Sequence, residues 1–331
     1  MSSQIPLALV DGDTLLIDNT TLETFTTCPR AAQYYFCLKR QTTRERSALK
    51  FGQIIHSALE ARYLAASPMH AQSPAVEGVM LSVVERAFSD RSPPEDDFRN
   101  HSFAVELINR YGVTYPFESF QVLRLPDGRP FVEVPFAIPL GEIVINDTLL
   151  VRDVATGEVS HRHVGIIKVL WTGKIDLAYE SNGQRYIMDH KTTSMMGPSF
   201  FSEFELSHQT HGYVWAAESI LGQPFTGYTI NALATRKPTK TGKSLEFERK
   251  VYTVHRGLLA EWQTDCMHIV ADCIEMVRRG YMPKHTKWCV GKYGQCQFHA
   301  VCSLPTPEHR DLMLHSGDYG PVTWSPLNKD S

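Results

Sequence analysis

No stretch of the chain is apolar for long enough to span a bilayer. The opening Met1-Ser2-Ser3-Gln4 also lacks the basic region and following hydrophobic stretch of a secretory leader. Secretion and membrane insertion are therefore not expected, and a cytoplasmic location is. The seven cysteines are odd in number, which without a leader argues for a reducing compartment and against a disulfide framework. A charge excess is missing too. The net charge is −3, so any attraction for nucleic acid must come from local patches. There is no internal repeat and no long low-complexity tract. With 43% hydrophobic residues, the 331-residue chain can bury a substantial core, read here as one elaborated domain.

Thr20-x-x-Glu23 reads as a capping box opening a short helix, and Pro29 suits the first turn of a second helix running through Ala31 to Leu38. Cys28 falls at their junction. From about Ser57 to Tyr111 the pattern is helical, with interruptions around Ser67–Pro74 and Ser92–Asp97. Phe117 to Thr193 is β-rich, with turns at Asp127-Gly128 and Thr156-Gly157. Helices return from about Ser202 to Leu221. A strand through Gly227–Leu233, a charged hairpin-like region from Arg236 to Tyr252 and an amphipathic helix from Leu258 to Arg279 follow. This order fits an α/β fold in which a central mixed sheet is flanked by helices. The tail from Ser303 carries proline, charge and little periodicity, so partial disorder is expected over 303–331.

Asn182-Gly183 lies between two strand-like runs, Gly173–Tyr179 and Arg185–Asp189, and both turn positions accept positive φ. With these two residues as the loop, Ser181 pairs with Gln184 and, by the same index sum, Asp176 faces Asp189. Lys191 shares the face of Asp189. Facing side chains sit roughly 4.5–5.5 Å apart at Cβ, and like charges so placed destabilise a sheet. A hard divalent cation such as Mg²⁺ or Mn²⁺ offsets that repulsion, and Lys191 can then steady an attacking water or a developing negative charge. The plainer alternative is a solvated hairpin face with Lys191 as a cross-strand ion partner.

Several further segments join this hairpin: Cys28-Pro29-Arg30, Phe51-Gly52-Gln53-Ile54-Ile55-His56 with Glu60, Gly173-Lys174-Ile175-Asp176, Asp189-His190-Lys191-Thr192-Thr193, Gln209 with Tyr213, and Cys289, Cys296 and Cys302. Together they resemble the PD-(D/E)XK nuclease superfamily, in particular its RecB-like branch with an iron-sulfur cluster. The resemblance implies a restriction-endonuclease-like core in one nuclease domain over residues 1–302. It also implies a helical insertion at about 57–115 and an iron-sulfur site joining the N- and C-terminal segments. By the same resemblance His56, Asp176 and Asp189 are metal ligands, Lys191 is catalytic, and Gln209 and Tyr213 help place the DNA strand. The implied activity is Mg²⁺- or Mn²⁺-dependent DNA cleavage, exonucleolytic, in repair, recombination or nucleic-acid processing. DNA, single-stranded or as a duplex end, is the implied partner, with a helicase or recombination protein beside it.

Taken alone, His56 reads as a structural histidine at the margin of an amphipathic helix, and Gln209 and Tyr213 as a helix-boundary polar residue and a packed aromatic. Glu60 shares the face of His56 and either orients it or is a surface acid. Glu133, in the alternating strand Phe131–Phe136, is a further candidate acid. Cys28, Cys289, Cys296 and Cys302 suit a Cys₄ site, which by residue type holds either zinc or an iron-sulfur cluster. The resemblance points to [4Fe-4S]. Cys37, Cys266 and Cys273 read as buried free thiols. Two basic runs, Lys39–Lys50 and Arg236–Lys243, are either phosphate-binding patches or ordinary solvated surface. Two rivals to a nuclease stay in view: a non-cleaving DNA-binding or adaptor module, and a redox-sensing cluster protein.

Overall fold

A computed structural model describes residues 5–44, 47–65, 74–89, 97–239, 244–291 and 294–322. The chain opens with β1 (Leu7–Leu9), β2 (Thr14–Ile17), α1 (Asn19–Thr27), α2 (Pro29–Ala32) and β3 (Arg40–Thr42). Three helices follow, α3 (Ser47–Ala65), α4 (Pro74–Ser89) and α5 (His101–Thr114). Next come β4 (Gln121–Val122), the long strands β5 (Val132–Asp153) and β6 (Val159–Ser181), and β7 (Gln184–Thr193). The second half holds α6 (Pro198–Ser202), α7 (His208–Leu221), β8 (Gly227–Thr235), β9 (Leu245–Thr253) and α8 (Arg256–Arg278). The chain closes with β10 (Val290–Gly291), β11 (Gly294–Gln295), α9 (His299–Cys302), α10 (Pro307–Leu314) and β12 (Tyr319–Pro321). The expected helical interruptions fall mostly at 66–73 and 90–96, outside the described residues.

The fold is α/β with a mixed sheet and divides into two compact units. One comprises Arg46–Val134 and Lys174–Leu259; the other comprises Met1–Glu45, Pro135–Gly173 and Ala260–Ser331. Strands β5 and β6 contribute residues to both.

In the first unit β6 is antiparallel to β4 and β7, β7 is parallel to β8, and β8 is antiparallel to β9. Leu177, Tyr179, Met188 and Leu233 point from this sheet into a core shared with Ile55, Leu59, Leu107 and Tyr111 of α3 and α5. Each such Leu or Ile contributes roughly 1.5–3 kcal/mol by leaving water. Every residue of β8 is buried, as befits a strand covered on both faces. The turn Asn182-Gly183 has φ of 52° and 73°, the left-handed pair that closes a two-residue hairpin. The ladder follows the expected register from Ser181–Gln184 to Leu177–Met188. It stops there, one position short of the two aspartates.

A buried ion group also lies in this unit. Glu118 accepts from Arg249 through both carboxylate oxygens, at 2.6 and 2.9 Å, and pairs with Arg62 Nη2 at 3.3 Å. Arg249 stacks over Tyr115 with its guanidinium carbon 3.8 Å from the ring centroid. One carboxylate thus answers two guanidinium groups that solvent barely reaches.

In the other unit β1 runs parallel to β5, and β2 parallel to β6. Helix α1 is capped by Asp18, whose side chain accepts from Thr21 N at 2.8 Å. The box at Thr20 is therefore not the cap, because Thr20 lies inside the helix. Pro29 opens α2 as expected, but α2 is short and runs on as a π-helical stretch over Gln33–Cys37. Cys37, Cys266 and Cys273 are buried and none is in a disulfide. The tail carries structure through residue 322. Helix α10 and β12 are ordered because Leu314 and Tyr319 pack with Tyr34, Phe298 and Val301, and β12 pairs with β3. A two-turn helix leaves too little periodicity to be read in sequence. Residues 323–331 of the expected disordered tail lie outside those described.

Glu118→Ala should destabilise the protein by about 3–5 kcal/mol, since it leaves two buried guanidiniums without a counter-charge. Urea unfolding measures this, with Glu106→Ala in the exposed pair Glu106–Arg110 as a near-neutral comparison.

Candidate metal and catalytic site

Helix α3 delivers His56. One turn earlier, Gly52 meets β7 so closely that a Cβ there would lie 2.9 Å from Thr192 Oγ1. Glycine at this position lets the helix approach the strand that carries Asp189 and Lys191.

Asp176 stands where β6 and β7 part. Its Oδ2 accepts from the main-chain N–H of His190 at 2.8 Å, so the side chain takes the place of a further ladder bond. The same oxygen lies 3.5 Å from His56 Nδ1. Glu133 approaches from β5, and one ligand atom each from His56, Glu133 and Asp176 lie within 4.8 Å of one another. This is the one such group of His, Cys, Asp or Glu ligands among the described residues.

Glu133 owes its position to a break in strand alternation. Phe131, Val132 and Glu133 are buried in succession, and Glu133 has φ of 50°. A non-glycine residue held in that region costs on the order of 1–3 kcal/mol, and it re-aims the side chain. Reading the segment as a regular strand undervalued Glu133. The available signal was an acid set between apolar residues in a strand that has no polar face to spare.

Asp189 and Lys191 form an adjoining pair. Lys191 Nζ is 2.7 Å from Asp189 Oδ2 and donates to Gln209 Oε1 at 2.9 Å, while Gln209 Nε2 donates to Asp189 Oδ1 at 3.3 Å. Helix α7 thus holds the acid and the lysine through a single amide. The expected face-to-face pairing of Asp176 with Asp189 is not a ladder pair, because Asp176 turns to the His190 N–H. Asp189 is instead engaged with Lys191 and Gln209. Tyr213, one turn beyond Gln209, and Glu60, one turn beyond His56, are half-buried and stand outside the three-ligand group.

Burial, and then the charge of Asp189, push the Asp176 carboxyl up to about 7. Glu133 is likewise pushed up to about 7, by burial and then by Asp176. Burial lowers the His56 pKa, so its imidazole is neutral and able to donate a lone pair. Lys174 lies 2.5 Å from Glu133 Oε2, and that pairing raises its pKa despite partial burial. Two carboxyls and an imidazole converging in this way suit a hard divalent cation, which would occupy the place where their lone pairs repel.

Cys28, Cys289, Cys296 and Cys302 line one cavity of about 210 Å³, together with Ala31, Trp288 and Phe298 among others. All four are of intermediate exposure and none is in a disulfide. Cys28 holds its place as both the end of α1 and the cap of α2, with its N–H donating to Thr24 O at 2.9 Å. Cys296 N donates to Cys289 O at 2.9 Å, which folds the segment back on itself. Burial, then the neighbouring Cys28 and Cys296, raise the Cys302 thiol.

Of the basic runs, Arg236 is engaged with Glu246 at 2.9 Å, and Arg44 is exposed. Arg46, Lys240 and Lys243 lie outside the described residues. No described helix is long and apolar enough to cross a membrane.

The profile of the PD-(D/E)XK nuclease superfamily matches residues 19–303. Among solved structures, the chain is similar to a candidate exonuclease from Eubacterium rectale at 12% identity, with 91% of this chain and 93% of that one covered and a TM-score of 0.49. It is also similar to an alkaline exonuclease from Laribacter hongkongensis at 10% identity, over 70% of this chain and 94% of that one, with a TM-score of 0.23. No curated protein matches the chain.

The raised carboxyls set the pH dependence of metal binding. Protonated below about 7, Asp176 and Glu133 must lose protons to a cation, so affinity for Mn²⁺ should rise as pH climbs through that value and fall below it. The sign for metal-free stability is opposite: a carboxyl raised in the fold favours the folded state at low pH, and that advantage is gone once pH passes about 7. Calorimetric Mn²⁺ titrations in buffers of different ionisation enthalpy should show proton release that is large near pH 6.5 and shrinks towards pH ~8.5.

Proposed function

Starting from a chain that belongs to the PD-(D/E)XK nuclease superfamily, we propose that it is a divalent-metal-dependent deoxyribonuclease of the RecB-like branch, acting as an exonuclease in repair, recombination or related nucleic-acid processing. The observation that carries this reading is the convergence of His56, Glu133 and Asp176 beside the Asp189–Lys191–Gln209 group. His56, Asp176, Asp189 and Glu133 would hold Mg²⁺ or Mn²⁺, which when bound would supply Lewis-acid stabilisation to the phosphodiester.

The remaining chemistry belongs to the side chains. Lys191 carries a fixed positive charge beside the acids and is oriented by two acceptors, Asp189 Oδ2 and Gln209 Oε1. That places an ammonium where it can orient the attacking water and offset charge growing on the phosphate oxygens. Gln209 keeps both partners in register, and Tyr213 extends the same helical face towards the strand being cut. Asp176 is fixed by the His190 N–H, so its carboxylate does not have to reorganise as charge develops.

The cysteines support a [4Fe-4S] cluster in this reading. Cys28, Cys289, Cys296 and Cys302 line one cavity, and a Cys₄ set suits zinc and a cluster alike. The resemblance to the RecB-like branch favours the cluster, which would tie Cys28 to the Cys289–Cys302 segment.

The test is cluster-loaded protein with end-labelled, end-blocked and circular DNA in single- and double-stranded forms. Mg²⁺- or Mn²⁺-dependent release from free ends is expected, with losses of at least ~100-fold in Asp189→Ala and Lys191→Ala. Visible absorption with about four irons and four sulfides per chain is expected in the same preparation. Absence of cleavage with either metal, or full activity in both variants, contradicts the nuclease reading. Tight DNA binding without turnover would instead identify an adaptor module, and zinc without iron would remove the cluster.

A further inference from the structure

His190 lies between Asp189 and Lys191 in sequence, yet strand alternation sends its ring to the opposite face, where it is 1% exposed. Its hydrogen bonds can be assigned from the groups around it. Arg249 Nε donates to Asn231 Oδ1 at 3.3 Å. A guanidinium has no acceptor, so the amide oxygen of Asn231 must face Arg249 and the amide nitrogen must face away. That nitrogen donates to Tyr111 Oη at 2.9 Å and lies 2.8 Å from His190 Nδ1. Nδ1 is therefore the acceptor, and the neutral ring carries its proton on Nε2. Nε2 is buried and has no hydrogen-bond partner among the described residues.

The ring so fixed touches the metal site from behind. It stacks parallel on Tyr63, with centroids 5.7 Å apart and planes at 5°, and meets His56 edge to face at 5.9 Å and 79°. Its main-chain N–H donates to Asp176 Oδ2 at 2.8 Å. One residue thus braces two of the three converging ligands. Its own anchor, Arg249, is held bidentately by Glu118.

We propose that His190 is a positioning residue of the metal site, locked as its Nε2–H tautomer by the Arg249–Asn231 pair, and that it sets affinity for the divalent cation by holding His56 through its ring and Asp176 through its N–H. The proposal rests on the reading of this site as a divalent-cation site. Outer-shell partners of metal ligands typically change metal affinity by ~10–100-fold when lost.

The variants are His190→Phe, which keeps a flat ring against Tyr63, and Asn231→Asp, which keeps the acceptor for Arg249 but removes the donor to Nδ1. Leu107→Ala, in the same core but outside the hydrogen-bond chain, controls for loss of stability alone. Three readouts are taken on the full, cluster-loaded chain: imidazole ¹⁵N shifts of His190 without metal, the Mn²⁺ isotherm, and the metal dependence of DNA cleavage. The expected results are an Nε2–H ring in the wild type, a Mn²⁺ dissociation constant raised about tenfold or more in both chain variants, and an unchanged one in Leu107→Ala. An Nδ1–H ring in the wild type, or wild-type Mn²⁺ affinity in His190→Phe and Asn231→Asp, overturns the proposal. So does a shift in Leu107→Ala as large as theirs. A wild-type protein that binds Mn²⁺ but cuts no DNA contradicts the nuclease reading only, since the isotherm and the ring nitrogens still decide the role of His190.

Discussion

Carboxyl groups that are buried beside one another cannot all stay ionised unless something positive stands between them, and the Lys191 and His56 ends of this site are organised around that constraint. Asp176 and Glu133 are each pushed up to about 7 by burial and by a neighbouring acid. The protein places fixed cations at the edges of the group instead of its centre: Lys174 against Glu133, and Lys191 against Asp189. His56 adds a neutral lone pair rather than a charge. His56, Glu133 and Asp176 each turn one ligand atom to a common point, and once the two carboxyls are ionised this is the chemistry of a cation site.

The surrounding fold explains how such a group is held. Hairpin β6–β7 sets the register, and the parting of its strands frees the His190 N–H for Asp176. Gly52 lets α3 lie against β7, and the positive φ of Glu133 turns that acid inward at a conformational cost that must be met elsewhere. The large apolar core of α3, α5 and the sheet supplies that stability, and the Glu118–Arg249 pair gives it a fixed polar anchor. The site is thus built on rigid elements, where small errors of position matter most for chemistry.

Much of this was legible in sequence. Asn182-Gly183 marked the hairpin and its register, and with them Asp176, Asp189 and Lys191, while the family resemblance and not spacing pointed to His56 and Gln209, which the fold sets near those residues. The role of Glu133 was hard to see, since a local backbone inversion, not strand periodicity, aims it. The chain from Arg249 through Asn231 to His190 was invisible, because it joins residues from separate strands whose pairing only the folded sheet defines. Asp18 escaped notice as the cap of α1 because Thr20 offered a more familiar pattern. The helix and strand of the tail rest on long-range packing against Phe298 and Tyr34, which local propensity does not show.

Thermal unfolding of the wild type and of Asp176→Asn at pH ~8, each with and without Mn²⁺, tests the shared-cation site most directly. An amide at this position can still accept from the His190 N–H, yet it removes one of the mutually repelling charges. The expected result is a metal-free variant at least as stable as the metal-free wild type, with Mn²⁺ raising the melting temperature of the wild type alone. A less stable variant that still gains as much from Mn²⁺ as the wild type would contradict it.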